Sequence, residues 1–323
     1  MSEWLLLGGT GFVGRTVIDQ FLGRNISDPI PDRITVANRS GYMSTEGILL
    51  YQRERWDAEQ VSKLPPIYDV IIHAATPASA ELNAQDPARM FSINVKSMEN
   101  VIEFASKHQT PPVVLFTSSG GVYGDIPPEI DHVPENWLGA VDPTKVSSAY
   151  AEGKRAAEFL LSAASAQGIC KGLIARLFAF SGVHLPLDRH FAIGNFVRDA
   201  VTANAISVRS DGRSVRSYLD GQDMAQWLLR IIEVGSPGEI YHVGSERAIS
   251  IRDLALLVAQ RYELLTTKPV NVEILGQSSP LDSVSHYVPL TKWTRHRLGV
   301  SETISLEESI DQMIINALRM QNN

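Results

Sequence analysis

Trp4-Leu5-Leu6-Leu7-Gly8-Gly9-Thr10-Gly11-Phe12-Val13-Gly14 stands almost at the start of the chain, an apolar run leading straight into a turn with glycines at 8, 11 and 14. The run 4–7 is short and continuous rather than alternating, so it reads as a strand buried on both faces. Behind it Phe12, Val13, Val17, Ile18, Phe21 and Leu22 recur at helical spacing as far as Gly23. Strand, glycine turn and helix in immediate succession meet the needs of a dinucleotide pyrophosphate: a tight turn, close approach of backbone N–H groups, and close contact of helix on strand. Gly8, Gly11, Phe12, Val13 and Gly14 are therefore candidate cofactor-binding residues. A glycine pattern by itself would be only a tight turn, and its position between strand and helix is what gives it meaning.

Working outward, short apolar runs at 34–37, 69–73 (DVIIH), 113–116 and 173–178 alternate with longer segments of helical period. One of those helices presents Met90, Phe91, Val95, Met98, Val101, Ile102 and Ala105 on its apolar face, and another covers 149–163. Strands separated by crossover helices imply an α/β fold, a doubly wound parallel sheet of the Rossmann type with helices on both faces. After residue 180 the texture changes to a Pro- and His-containing loop (GVHLPLDRH), helices near 193–203, 224–234 and 251–264, and short strands near 206–208 and 240–243. The expected organisation is a dinucleotide-binding domain over 1–180 and a smaller α/β substrate-binding domain over 181–323, with some exchange of strands or helices between them.

The end of the second strand should lie near the adenosine ribose, where an acid would select NAD and an arginine would accommodate the 2′-phosphate of NADP. The chain reads Asn38-Arg39-Ser40 there, with no acid. A guanidinium binds phosphate bidentately, so NADP(H) is favoured, and NAD(H) stays open because an acid from elsewhere could reach the ribose.

Tyr150-Ala151-Glu152-Gly153-Lys154 places a tyrosine and a lysine on one face of a helix. A neighbouring ammonium favours the phenolate, which would fit the tyrosine for proton transfer. The spacing alone is common on exposed helices. Its weight comes from Thr117-Ser118-Ser119-Gly120-Gly121-Val122-Tyr123-Gly124 directly after the 113–116 strand, where a small hydroxyl at the carboxyl end of a parallel strand can bind a substrate carbonyl.

Twenty-nine basic and thirty-six acidic residues leave a net charge of −7, which speaks against a general nucleic-acid binder but leaves room for an anion in a local pocket. Arg209, Arg213 and Arg216 would form one. A single cysteine, Cys170, fits a reducing, cytoplasmic setting. There is no basic leader before the first apolar run and no apolar stretch long enough to span a bilayer, so no membrane partner is expected. The eight histidines are dispersed without metal-ligand spacing, and no metal is assigned. His73, ending an apolar strand, reads as a buried, hydrogen-bonded histidine, and Glu152 as a helix-surface charge.

The chain resembles the extended short-chain dehydrogenase/reductases, the NAD-dependent epimerase/dehydratase group that acts mostly on nucleotide-sugars. The likeness rests on the glycine turn at 8–14, Asp57, His73-Ala74-Ala75, Asn94, the Ser-Ser-x-x-Val-Tyr-Gly run at 118–124, Tyr150 with Lys154, Arg176, and Arg216-Ser217-Tyr218. It implies that Tyr150 is the acid/base, that Lys154 lowers its pKa and binds the nicotinamide ribose, and that Ser119 polarises the substrate oxygen. Ser119 is chosen over Ser118 because the family's hydroxyl stands four residues before the tyrosine of Val-Tyr-Gly, here Tyr123. By the same resemblance Asp57 contacts adenine, and Asn38, Arg39, Ser40, Ala74, Ala75 and Asn94 complete the cofactor site. Asn195, Arg209, Arg216 and His286 are implied to bind substrate, a nucleotide-diphosphate sugar.

Several positions depart from the family pattern. Dehydratases carry Asp-Glu after the catalytic hydroxyl, and this chain has Gly120-Gly121, so 4,6-dehydration is disfavoured. Phe178-Ala179-Phe180-Ser181-Gly182 replaces Asn-x-Tyr-Gly-Pro, and His286-Tyr287 replaces Arg-Tyr. The expected activity is NADPH-dependent reduction of a 4-keto nucleotide-sugar, with an NAD-dependent epimerase as the alternative and a non-catalytic dinucleotide sensor as a third class. Resemblance also implies a homodimer built on the helix of Tyr150 and the one before it.

Overall fold

Leu5 and Leu7 face one side of the first strand and Trp4 and Leu6 the other, and all four are buried, as a strand covered on both faces requires. The computed structural model describes residues 2–23, 33–37, 48–50, 61, 64–203, 205–277 and 284–321. By proximity along the backbone the chain divides into two units. The first takes Met1–Gly124, Leu138–Leu177 and Ala225–Tyr241, and the second Asp125–Trp137, Phe178–Met224 and His242–Asn323.

The first unit begins β1 (Glu3–Leu7), α1 (Phe12–Leu22), β2 (Arg33–Ala37), β3 (Ile48–Leu50), β4 (Val70–His73), α2 (Ala80–Gln85), α3 (Pro87–Ala105), β5 (Val113–Ser119), α4 (Ala149–Ala166) and β6 (Lys171–Leu177). The chain then forms β7 (Phe180–Ser181), α5 (Ala192–Thr202), β8 (Ala205–Val208), β9 (Val215–Arg216) and β10 (Leu219–Asp220) of the second unit. It returns through α6 (Gly221–Val234) to β11 (Ile240–Val243). Seven strands lie in the order β11-β6-β5-β4-β1-β2-β3, those from β6 to β3 pairing in parallel, the doubly wound arrangement expected from the alternation of strand and helix. On one face Leu5, Leu7, Ile71, Val114, Phe116 and Ile174 of the sheet pack with Met98, Val101, Phe104, Ala157 and Leu161 of α3 and α4.

The face that α3 buries differs from the expected one. Met90, Asn94, Ser97, Met98, Val101, Phe104 and Ala105 form its buried stripe, while Phe91 is 40% exposed. Steps of three and four residues keep that set on one side of the helix, and Phe91 falls at its outer edge, beyond Met98. Gly153 of α4 sits against Asn94 and the Phe91 backbone, where a Cβ would meet Asn94 Cβ at 2.9 Å.

The second unit continues with β12 (Ile249–Ser250), α7 (Ile251–Thr266), β13 (Asn271–Ile274), β14 (His286–Tyr287), α8 (Lys292–Leu298) and α9 (Leu306–Gln321). Its strands pair as β10 with β7, β13 with β8, and β12-β9-β14, the last joining His286 to Val215 and Tyr287 to Arg216 in register. Asp220, buried, accepts from Ser309 Oγ (2.5 Å) and from the Gln222 N–H (2.7 Å), tying α9 to the end of β10.

Candidate active site

The strand order reverses between β1 and β4, and in sheets of this kind the crevice at the carboxyl ends of those strands receives the ligand. The glycine turn stands there. Gly8 has φ +94°, a value that favours glycine, and its N–H donates to Ala37 O at 3.0 Å. Any side chain on Gly8 would strike the carbonyl of Ala74, and one on Gly14 the backbone of Gly8 and Gly9. Ala74 itself is held by its N–H on Leu7 O at 2.9 Å, which puts Ala74 and Ala75 beside the turn. Gly11 is the N-cap of α1 and offers no side chain to the first-turn N–H groups. This cradle of bare backbone fits the pyrophosphate of a nicotinamide dinucleotide. Asn38, Arg39, Ser40 and Asp57 lie outside the described residues.

Strand β5 runs three residues past the expected 113–116 segment and ends on Ser119, whose Oγ accepts from the Gly121 N–H at 3.1 Å and shares a hydrogen bond with the Tyr150 hydroxyl. Tyr150 sits in the first turn of α4, and its N–H donates to Asn83 Oδ1 (2.9 Å) while Asn83 Nδ2 donates to Ser147 O (2.9 Å). The α2 side chain thus caps the helix that carries the tyrosine. One turn on, Lys154 is buried and donates from Nζ to Thr76 Oγ1 (2.6 Å) and to Thr117 O (2.7 Å). Its ammonium lies 4.6 Å from the Phe116 ring centroid and 5.8 Å from that of Tyr150.

Burial pulls Lys154 down to about 7, against an upward pull from Glu158. Burial also pushes Tyr150 above the ordinary phenol value, and the Ser119 hydrogen bond draws it partly back. The Lys154 ammonium is bonded to Thr76 Oγ1 and Thr117 O, and burial is the largest influence on the phenol. His73 at the end of β4 is wholly buried and bonded through Nε2 to Ser97 Oγ (3.0 Å). Burial first, and the Lys154 charge second, depress it to about 3, so it is neutral. Asn94 is fully buried between α3 and α4, its Nδ2 donating to Met90 O at 2.9 Å.

Within the second unit, Arg216 of β9 is half-buried, donates from Nη1 to Val215 O (2.8 Å) and Ser285 O (3.1 Å), and lies 5.8 Å from the Tyr287 ring centroid. His286 is in the adjoining strand. Asn195 on α5 accepts from Arg198 Nη1 at 3.2 Å. Arg213 pairs with Asp211 at 2.6 Å, and Arg209 is exposed. Among the described residues no group of three or more His, Cys, Asp or Glu is placed to hold a metal, and no helix is long and apolar enough to cross a membrane.

The model of the NAD dependent epimerase/dehydratase family matches residues 4–244. The chain belongs to this family. It is thus an extended short-chain dehydrogenase/reductase, an NAD(P)-dependent enzyme of a nucleotide-sugar-modifying family on a Rossmann sheet. Among curated relatives it is 27% identical over 310 residues to UDP-glucuronic acid decarboxylase 5 of Arabidopsis thaliana, covering 96% of this chain and 87% of that one. Among solved structures it is similar to RMD from Pseudomonas aeruginosa complexed with NADPH, with a TM-score of 0.80, 21% identity, and 99% and 100% of the two chains covered. It is also similar to UDP-glucose 4-epimerase from Thermotoga maritima with UDP-glucose, with a TM-score of 0.81, 20% identity, and the same coverage.

For an epimerase/dehydratase-family site, one constellation went unread in the sequence. Glu158, one turn beyond Lys154, accepts from Ser118 Oγ (2.5 Å) and forms a two-pronged pair with Arg176, Nε to Oε1 at 3.0 Å and Nη2 to Oε2 at 2.6 Å. The guanidinium stacks 4.6 Å from the Tyr123 ring centroid. Arg176 is a motif residue in the sequence, and Glu158 belongs to no motif. The available signal was the spacing: Tyr150, Lys154 and Glu158 fall every fourth residue on one helix face.

Proposed function

We propose that the protein reduces a 4-keto sugar carried on a nucleoside diphosphate, using NADPH. The observation that carries this reading is the bonded hydroxyl pair of Ser119 and Tyr150, followed by Gly120 and Gly121 instead of any acid. A ketone oxygen between the two hydroxyls accepts a hydrogen bond from each, and Tyr150 passes it a proton as the carbon is reduced. The bound nicotinamide supplies the hydride to that carbon. Lys154 stands one turn from the tyrosine and ties the Thr76 hydroxyl to the Thr117 carbonyl at the cofactor edge. Elimination of a sugar hydroxyl calls for an added acid and base next to Ser119, and two glycines offer neither. Arg39 supports the 2′-phosphate preference. Arg216, Asn195, Arg209 and His286 are assigned to the nucleoside diphosphate, with Arg216 as the main phosphate donor.

A second reading is a redox-neutral cycle, in which a ring carbon is oxidised and re-reduced on retained NAD, as in an epimerase. The similarity to a UDP-glucuronic acid decarboxylase and to the fold of a UDP-glucose 4-epimerase favours it. Mass spectrometry of small molecules released by heat, then titration of the emptied protein with NADPH and NADH, separates the two. A preference of at least tenfold for NADPH, ~1.4 kcal/mol, supports the reductase. Near-stoichiometric bound NAD without that preference turns the assignment to the epimerase. A homodimer is part of the proposal: Phe159 of α4 is 72% exposed and Phe91 of α3 is 40% exposed, apolar area that a second copy would cover. The buried Cys170 thiol, pushed up to about 11, is compatible with a cytoplasmic setting.

A further inference from the structure

Glu158 is a buried carboxylate that the proposed reaction does not use, and it lies too deep to meet a substrate: it is 7% exposed and enclosed by Ser118, Arg176 and its own helix. Register explains the enclosure. Ser118 of β5 stands directly opposite Arg176 of β6, so the two reach the same point on α4 from neighbouring strands. We propose that Glu158 is a positioning residue that acts through Lys154, the buried counter-charge of its ammonium, clamped by Ser118 and Arg176 one helical turn away. This inference rests on the reading of Lys154 as part of the active site.

The charges around Lys154 can be taken element by element. From β4 comes His73, which is neutral. From β5 come the Thr117 carbonyl and the Phe116 ring, and from the loop after β4 comes Thr76, all uncharged. From α3 the buried side chains are Ser97, bonded to His73, and Asn94, against Gly153, both uncharged. From α4 come Tyr150 and Glu158, and from β6 comes Arg176, stacked on Tyr123. The buried set is therefore two cations and one anion, and Glu158 is the group that raises Lys154 against burial. Remove its charge and two buried cations remain. A guanidinium keeps its proton under all ordinary conditions, so the lysine gives up its own. Remove Arg176 instead, and Glu158 is left with Lys154 as its nearest cation, which holds the ammonium more firmly. The two changes push Lys154 in opposite directions, whereas simple damage to the packing between α4, β5 and β6 would push it in one.

The test follows the titration of isotope-labelled lysine side chains by NMR in the full-length protein without substrate, the Lys154 signal being the one lost in Lys154→Arg. Glu158→Gln is expected to lower the Lys154 midpoint by about one pH unit or more, and Arg176→Gln to raise it by a comparable amount. Movement of both variants in the same direction, or of neither by more than ~0.3, overturns the proposal. If Glu158→Gln fails to fold, Arg176→Gln decides alone: a rise supports the role and the absence of a rise refutes it. No substrate or turnover enters the measurement. An enzyme that proves not to reduce keto sugars would leave the result standing, and an unmoved midpoint would defeat the Glu158 role even in a proven reductase.

Discussion

Replacing Lys154 by methionine should remove a cost that the folded state carries for function. Lys154 is 3% exposed, and its pKa falls from the ordinary 10.5 to about 7. The unfolded chain therefore binds a proton there more tightly than the folded one, and linkage makes stability rise with pH across the interval between the two values. The penalty is fully present below pH 7 and disappears as pH approaches 10.5. At ~1.4 kcal/mol per pH unit it amounts to about 5 kcal/mol in full, of which about 3 kcal/mol is recovered between pH 6 and 9. Lys154→Met has no proton to bind, so its stability lacks this slope. The loss of the bonds to Thr76 and Thr117 O offsets the variant curve by a constant and does not alter the difference in slope. Denaturant titrations of both proteins at a series of pH values measure it, with other titrating groups cancelling in the comparison. A wild-type-minus-variant difference that is flat within ~0.5 kcal/mol from pH 6 to 9 would refute the reasoning, because it would mean that burial does not disfavour the ammonium.

Three other outcomes follow from the same geometry. Tyr150→Phe removes the hydroxyl bonded to Ser119 but none of the glycine turn, so kcat for keto-sugar reduction should fall by about 100- to 10,000-fold with little change in dinucleotide affinity, as read by single-turnover absorbance and by calorimetry. Gly14→Ala places a methyl group against the backbone of Gly8 and Gly9, and calorimetric NADPH affinity should drop at least ~tenfold, about 1.4 kcal/mol; unchanged affinity would place the pyrophosphate elsewhere. Phe159→Glu puts a charge on the exposed apolar face of α4 and should convert a dimer to a monomer in sedimentation, and persistence of the dimer would move the interface off that helix.

The α3 stripe illustrates how closely pattern and packing run together. Met90, Met98, Val101 and Ala105 are legible from spacing, but Phe91 of the same apolar face is 40% exposed, while buried places go to Asn94 and Ser97. Polar residues at those positions carry no hydrophobic signal. They are stable inside because Asn94 bonds Met90 O and Ser97 bonds His73. At Tyr150 the spacing puts an ammonium four residues along the helix, and only the three-dimensional site shows that this ammonium bonds Thr76 and Thr117 while burial acts on the phenol.

By itself the sequence determined what is local: the strand, glycine turn and helix at 4–22, the alternation that makes a parallel sheet, and the placing of Tyr150 and Lys154 one turn apart on a helix. Each depends on neighbours within a few residues, where backbone sterics and helical spacing leave little choice. Tertiary structure alone decided the order β6-β5-β4-β1-β2, the Asn83 cap on the helix of Tyr150, and the meeting of Ser118, Glu158 and Arg176. Those contacts join residues far apart in the chain, and the charge states of Lys154 and His73 depend on how completely the surrounding elements exclude water. Desolvation belongs to the assembled interior, so no stretch of sequence carries it in advance.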